Sequence, residues 1–157
     1  MSATIRSLHI APQAGEPMAS VASAQLEAGR GVVGDRYYQE QGTFSEKLKG
    51  RPDKEVTLIE AEQIDAFNRL NAIALDAGQF RRNVVTEGIA LNDLVGKRFM
   101  LGDCELEGIR LCEPCTHLAK MLGPHILEQL AHKAGLRARI VSSGTVAPGA
   151  AVHELEN

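Results

Sequence analysis

A chain of 157 residues makes one domain and leaves no room for two of ordinary size. At 44% hydrophobic and 24% charged it has enough apolar residues for a real core, while a formal net charge of −3 excludes broad nucleic-acid coating, which needs a cationic excess. No apolar run approaches the ~20 residues of a membrane-spanning helix, and Arg6 and His9 interrupt the N-terminal segment where a signal peptide would be continuously apolar. The expectation is a cytoplasmic protein with no nucleic-acid and no membrane partner.

In chain order, residues 4–10 read as a strand with Leu8 and Ile10 on one face. Residues 39–53 are polar, contain Gly42 and Gly50, and have the length of a binding loop or lid. Residues 56–59 form a short β-branched run. Residues 60–70 place Ile64, Phe67 and Leu70 on one helical stripe, with acidic residues in the first turn. Gly78 interrupts a helical stretch over 72–82, and 83–86 is the next strand. Residues 98–101 and 104–111 flank Gly102-Asp103 as a hairpin. Residues 116–122 and 126–134 are helical, 137–141 with 145–146 suggests a second hairpin, and a strand over 151–155 follows Pro148-Gly149. Strands come as neighbouring pairs, not as alternating strand–helix units. The pattern predicts a mainly β protein, an antiparallel sheet closed as a barrel with a few peripheral helices, in a single domain over 1–157.

The sharpest chemical feature is Cys112-Glu113-Pro114-Cys115, where a predicted strand ends and a helix begins. Free backbone N–H groups and the helix dipole favour a negative charge at such a junction, and Cys115 lies nearer the helix start than Cys112. Zinc needs four ligands, and no second cysteine or histidine pair stands at a suitable spacing. A redox pair belongs in a βαβ setting, which this chain lacks. A buried structural pair and a single thiolate ligand for a soft metal are the other two readings. With Cys104 the cysteines number three, so no disulfide framework is expected.

Arg81-Arg82-Asn83 heads a strand, where an arginine fork for phosphate beside an amide makes a binding pair; a solvated strand end is the alternative. On a strand the two arginines face opposite sides, so only one is expected in a given pocket. Gly31 to Arg36, ending in Asp35-Arg36, is a glycine-flanked turn with a charged exit and not a dinucleotide fingerprint. Arg137 and Arg139 share a strand face, as a cationic wall or as surface charge. Of five histidines only His117, two residues past Cys115, stands near the motif, and the others read as structural or exposed.

These pieces, in order, resemble the MOSC domain family, named for the C-terminal part of the molybdenum cofactor sulfurase. The likeness runs through Gly31-Val32-Val33-Gly34-Asp35-Arg36, Val56-Thr57-Leu58-Ile59-Glu60 and Phe80-Arg81-Arg82-Asn83-Val84-Val85. It continues through Leu94-Val95-Gly96, Cys112-Glu113-Pro114-Cys115 and Gly135-Leu136-Arg137-Ala138-Arg139-Ile140-Val141. The resemblance implies a barrel-like MOSC fold and a pocket for the molybdenum cofactor (molybdopterin), with pyridoxal phosphate not expected. It implies Cys115 as the thiolate on molybdenum and the catalytic residue, or Cys112 in its place. Arg81, Arg82 and Asn83 would hold the phosphate, Arg82 first, with Arg137, Arg139, Asp35 and Arg36 as further cofactor contacts. The implied activity is reduction of N-hydroxylated or N-oxide compounds with electrons from an external reductase, since no flavin or nicotinamide motif is present. The alternative is a non-catalytic carrier of a cysteine persulfide or of the cofactor. Where some relatives carry His-Gly-Gly after the glycine–aspartate turn, this chain has Gln41-Gly42-Thr43-Phe44-Ser45.

Overall fold

The structure, a computed structural model, describes residues 2–43 and 45–156, with backbone only for Thr116 and His117. Phe44 and the side chain of His117, both singled out above, therefore lie outside the described residues. Eleven strands and four α-helices are described: β1 (Thr4–Ile10), β2 (Ala19–Val21), β3 (Ala24–Glu27), β4 (Gly31–Val32), α1 (Ser45–Leu48), β5 (Val56–Glu60), α2 (Ala61–Asn71) and β6 (Val84–Glu87). They continue with β7 (Arg98–Leu101), β8 (Cys104–Leu111), α3 (Thr116–Leu122), α4 (His125–Gln129), β9 (Leu136–Ile140), β10 (Gly144–Val146) and β11 (Val152–Glu154).

Alternation drives the main sheet. Cys104, Leu106 and Gly108 of β8 point inward, as do Leu136, Ala138 and Ile140 of β9, with charged residues between them facing out. In β1 the buried pair is Ile5 and Leu8, three apart, because a bulge between Ile5 and Ser7 shifts the register and turns both to the interior. Ile10, expected beside Leu8, only packs against the core from its edge. Eight strands line up in the order β11-β7-β8-β9-β5-β6-β1-β2. The sheet then closes: Thr4 bridges Ala151, the Ile5 N–H donates to the Ala150 carbonyl at 2.9 Å, and the Val152 N–H donates to that of Ala3 at 3.0 Å. Strands β10, β3 and β4 form a second, three-stranded sheet.

Two apolar clusters result. One fills the barrel around Leu58, Phe99, Leu106 and Leu136. The other lies outside β5 and β6, where Ile59 and Val85 meet Ile64 and Phe67 of α2 and Leu118 and Ile126 of α3 and α4. Strand β5 is consequently buried on both faces, as are Val84 and Val85 of its neighbour β6, whereas β9 on its other side alternates with half-exposed arginines. No helix among the described residues is long and apolar enough to cross a membrane.

The structure departs from the sequence expectation at further points: Leu70, expected on the stripe with Ile64 and Phe67, is 68% exposed, and topology and helix extent also differ. Strands β5 and β6 are parallel, joined by α2 as a crossover, so the sheet is not wholly antiparallel. The expected second hairpin does not exist. Residues 144–146 leave the barrel after Ser142-Ser143 and pair with β3 instead, while β9 lies between β8 and β5. Helix α4 ends at Gln129, and the chain turns through His132, whose φ is 63°, before entering β9.

That entry depends on Gly135. Its φ is 114°, and a Cβ there would lie 1.9 Å from the Leu58 carbonyl oxygen. Backbone packs on backbone, so neither partner can give. Gly135→Ala is expected to lower the unfolding free energy by about 2–5 kcal/mol, from overpacking and positive-φ strain together. Urea denaturation at constant m-value checks this; an unchanged midpoint would refute it.

Candidate functional site

Strand β8 runs out at Leu111, and the chain then passes through Cys112-Glu113-Pro114 into α3, with Cys115 as the extended residue that precedes the helix. The Cys112 N–H donates to the Gly135 carbonyl at 2.8 Å, which pins this segment to the start of β9. The two cysteines part company here. Cys112 is buried at 2% exposure among the core residues. Cys115 is half-buried and lines two adjoining cavities.

The smaller cavity holds about 40 Å³. Cys115 and Leu118 enter it from α3, Thr57 from β5 and Arg137 from β9. Arg81 and Arg82 come from the segment before β6, and Arg36, Tyr37 and Thr43 from the loop after β4. The second cavity, about 190 Å³, shares Cys115, Arg82 and Arg137 and adds Lys47, Arg110 and Glu113. The long polar loop thus supplies walls to both, through Thr43 and Lys47.

Both Arg81 and Arg82 reach the small cavity, against the expectation from strand alternation. The reason is local: Arg81 sits in the left-handed region at φ 63°, so it closes the 3-10 turn Ala77–Phe80 and breaks the alternation before β6 begins. The Arg82 Nε donates to the Ala134 carbonyl at 2.9 Å, and its Nη2 donates to that of Cys112 at 3.2 Å. The Arg81 Nη1 donates to the Glu16 carbonyl at 2.6 Å, while its Nη2 is buried without a partner. Burial, and then the neighbouring Arg36, pull the Arg81 guanidinium below its ordinary pKa. Arg36 lies over the Tyr37 ring and donates to Asp35 Oδ1 at 3.1 Å and to the Met18 sulfur at 3.3 Å. Asp35 is itself buried, accepting from the backbone N–H groups of Ala11 and Tyr37. The Arg137 side chain makes no hydrogen bond or ion pair to any described residue.

Three expected residues line neither cavity: Asp35, which is bonded to Arg36, and also Asn83 and Arg139. The Asn83 carboxamide accepts from the backbone N–H and hydroxyl of Thr57, both at 3.2 Å, and donates to the His9 carbonyl at 3.2 Å. It faces the protein interior. Arg139 shares the outer face of β9 with Arg137 but is held by Glu107 at 2.5 Å, and that hydrogen bond raises its pKa.

Arg110, Lys47, Tyr37 and Thr57 also line the site and were not singled out from the sequence. Arg110 stands directly across the ladder from Arg137, a like-charge pair that would be unfavourable alone. Asp53, at 1% exposure, answers it: one of its oxygens accepts from Arg110 at 2.5 Å and from Arg51 at 3.1 Å. Burial alone would raise the Asp53 pKa, yet the hydrogen bond and charge of Arg110, with the charge of Arg51, bring it below its ordinary value. Glu113 accepts from both the backbone N–H and the ring Nδ1 of His132 at 2.6 Å, fixing the middle of the cysteine motif. Among the described residues, no three His, Cys, Asp or Glu side chains gather as a metal site.

A half-buried thiol thus stands among crowded guanidinium groups on a closed barrel with outer helices. The family model for the MOSC domain matches residues 45–153, and the chain belongs to the MOSC domain family, which is associated with molybdenum cofactor binding. The YuaD protein from Bacillus subtilis superposes with a TM-score of 0.81 at 15% identity, covering 99% of this chain and 98% of that one. YiiM from Geobacillus stearothermophilus gives 0.74 at 18% identity, covering 98% of this chain and 75% of that one. YiiM from Escherichia coli gives 0.69 at 16% identity, with coverage of 100% and 71%. No curated protein matched the sequence.

The Asp53 ion pairs set an acid limb. A carboxylate depressed in the folded state contributes stability above its unfolded pKa, which is lost as pH falls through the folded value. Arg110→Ala should therefore flatten the fall in stability on acidification through the carboxylate range. Urea titrations of wild type and variant across that range test it, and parallel curves would show that Asp53 does not set the limb.

Proposed function

We propose that this protein binds a molybdenum pyranopterin, with Cys115 as the protein ligand to the metal, and reduces N-hydroxylated or N-oxide compounds. One observation carries the reading: Cys115 opens onto a cavity walled by Arg36, Arg81, Arg82 and Arg137, with Asp35 the single carboxylate among the described residues bonded to any of the four. Guanidinium groups this close repel one another unless an anion answers them. The buried, unpartnered Nη2 of Arg81 leaves a donor without its acceptor. The residues present therefore suit a phosphorylated ligand beside a thiolate.

Within this reading Arg137, whose side chain bonds no described residue, and Arg81, through the Nη2 that has no partner, bind the phosphate. Arg82 carries a double task, orienting the backbone of Cys112 and Ala134 while adding charge to the wall. Thr57 and Tyr37 supply hydroxyl groups at the same wall. Cys115 offers one thiolate, which suits a metal held mainly by its own cofactor. Bound there, the molybdenum cofactor supplies the two-electron chemistry that removes the substrate oxygen as water, with electrons from an external reductase. The chain's part is to bind, to orient and to keep that position open beside Cys115.

Metal and pterin analysis of protein purified from cells that make the cofactor is the direct test. Cys115→Ala should lose molybdenum and activity, while Cys112→Ala, a change inside the core, should keep most of both. Equal loss from the two would refute a single ligand, and labile sulfane sulfur on Cys115 without metal would point to a persulfide carrier.

The arginines separate by the same logic. Arg137→Ala should weaken anion binding by about 10- to 150-fold, the worth of one charge-assisted hydrogen bond, with the thermal midpoint of the free protein unchanged. Arg82→Ala should weaken binding and also lower that midpoint, since two buried carbonyls lose their donor. Calorimetric titration with inorganic phosphate, alongside thermal melts, distinguishes the two. Wild-type affinity in both variants would misplace the pocket.

A further inference from the structure

Strand β1 carries a second chemical pairing, apart from the cysteine motif. The bulge between Ile5 and Ser7 turns Ile5 and Leu8 to the barrel interior, which leaves Ser7 and His9, two residues apart, on the opposite face together. Ser7 Oγ lies 2.8 Å from His9 Nε2. The backbone of His9 is fixed on both sides: its N–H donates to the Asn83 carbonyl at 2.7 Å, and its carbonyl accepts from the Asn83 side chain. His9 is 7% exposed, and burial holds its ring below the usual pKa, so it is neutral at pH 7 and able to take a proton. The other ring nitrogen, Nδ1, bonds no described residue. Gly78 keeps the space beside it open, since a Cβ there would lie 3.2 Å away.

Two cavities meet at this pair. One of about 680 Å³, within the size range of small-molecule sites, is lined by Ser7 and His9 together with Pro17, Met18, Met121 and Leu122. Its thioethers and aliphatic groups adapt to apolar ligands of varied shape. The other, about 210 Å³, shares Ser7 and runs over Ile64, Leu75 and Val85. Ser7 is half-buried where they join, and His9 lines only the larger. A serine hydroxyl within hydrogen-bond reach of a neutral imidazole is the arrangement that activates an oxygen nucleophile.

We infer that Ser7 and His9 form a nucleophile–base pair that cleaves esters of short-chain acids with larger, apolar alcohols. The Ser7 oxygen attacks the ester carbonyl carbon as its proton passes to His9 Nε2. The bond from that carbon to the alcohol oxygen then breaks, and His9 gives the proton to the departing oxygen. Because the base must reach that oxygen, the alcohol occupies the cavity that His9 lines, and the acyl group on Ser7 occupies the smaller one. Water, losing a proton to His9, attacks the acyl carbon and frees the acid, and the proton returns to Ser7. No electron is exchanged and no cofactor takes part, so this activity is independent of molybdenum.

The test is hydrolysis of 1-naphthyl acetate by the purified full chain, paired with peptide mass mapping after treatment with a fluorophosphonate, which reacts with activated serines and is not released by water. Wild type should liberate naphthol about 10²- to 10⁴-fold faster than Ser7→Ala, the range for one positioned base. The fluorophosphonate should map to Ser7. His9→Gln keeps a hydrogen-bonding partner for Ser7 but cannot take its proton, and should lose both turnover and labelling. Should His9→Gln fail to fold, Ser7→Ala, a smaller change at a half-buried position, carries the test alone. Naphthyl decanoate should be cleaved more slowly than the acetate, since the smaller cavity cannot house a long acyl chain. Wild-type turnover no faster than buffer, turnover retained in Ser7→Ala, or labelling of another residue in place of Ser7 would overturn the inference. Preference for the decanoate would overturn its placing of the acyl group.

Discussion

The carboxamide of Asn83 is the joint on which the site depends. It bonds Thr57 of β5 through two donors and the His9 carbonyl of β1 through its own, while the Asn83 N–H bonds the Thr57 hydroxyl. Three strands are thereby locked together at one level of the barrel. The two arginines directly precede it, Arg82 meeting the Cys112 carbonyl and Arg81 closing the 3-10 turn in the left-handed region. A buried amide satisfied on both ends is costly to break, since each lost partner leaves a desolvated group behind.

From that joint the charge distribution follows. A protein with a net charge of −3 gathers Arg36, Arg81, Arg82, Arg110 and Arg137 around one thiol. Most of these cations are individually restrained: Arg36 by Asp35, Arg82 by two carbonyls, and Arg110 by Asp53. Asp35 and Asp53 offset two of the charges, whereas the carbonyls that hold Arg81 and Arg82 fix geometry without cancelling charge. The wall stays electropositive and rigid together, which is what preorganised anion binding requires.

Much of this was legible in the sequence, and the failures have physical causes. Alternation in 104–111 and 137–141 marked the barrel strands because one face is dry and the other wet. The family likeness drew attention to segments that the fold brings to one place, yet it could not say that Asn83 points inward or that Arg139 is answered by Glu107, because side-chain partners come from strands far apart in sequence. Strands β2, β3 and β4 escaped notice because they are only two to four residues long, too short for the alternation in Ala24–Glu27 to stand out. The αL residue at Arg81 defeated the two-face argument, since a single left-handed residue cancels strand periodicity. Arg110 was missed because its importance lies in facing Arg137 across a ladder, a relation that exists only once register is set.

The barrel is sealed by the pairing of Thr4 with Ala151, contacts separated by nearly the whole chain. Loop-closure entropy makes such a pairing costly until the intervening strands have already brought the ends together. The seam is therefore a late event in folding and an early one in opening. Thr4 also belongs to the strand that carries His9, and His9 anchors Asn83. Fraying at the edge where the chain begins and ends is thus mechanically connected to the arginine wall, so the integrity of the site is tied to the last step by which the molecule becomes a closed object.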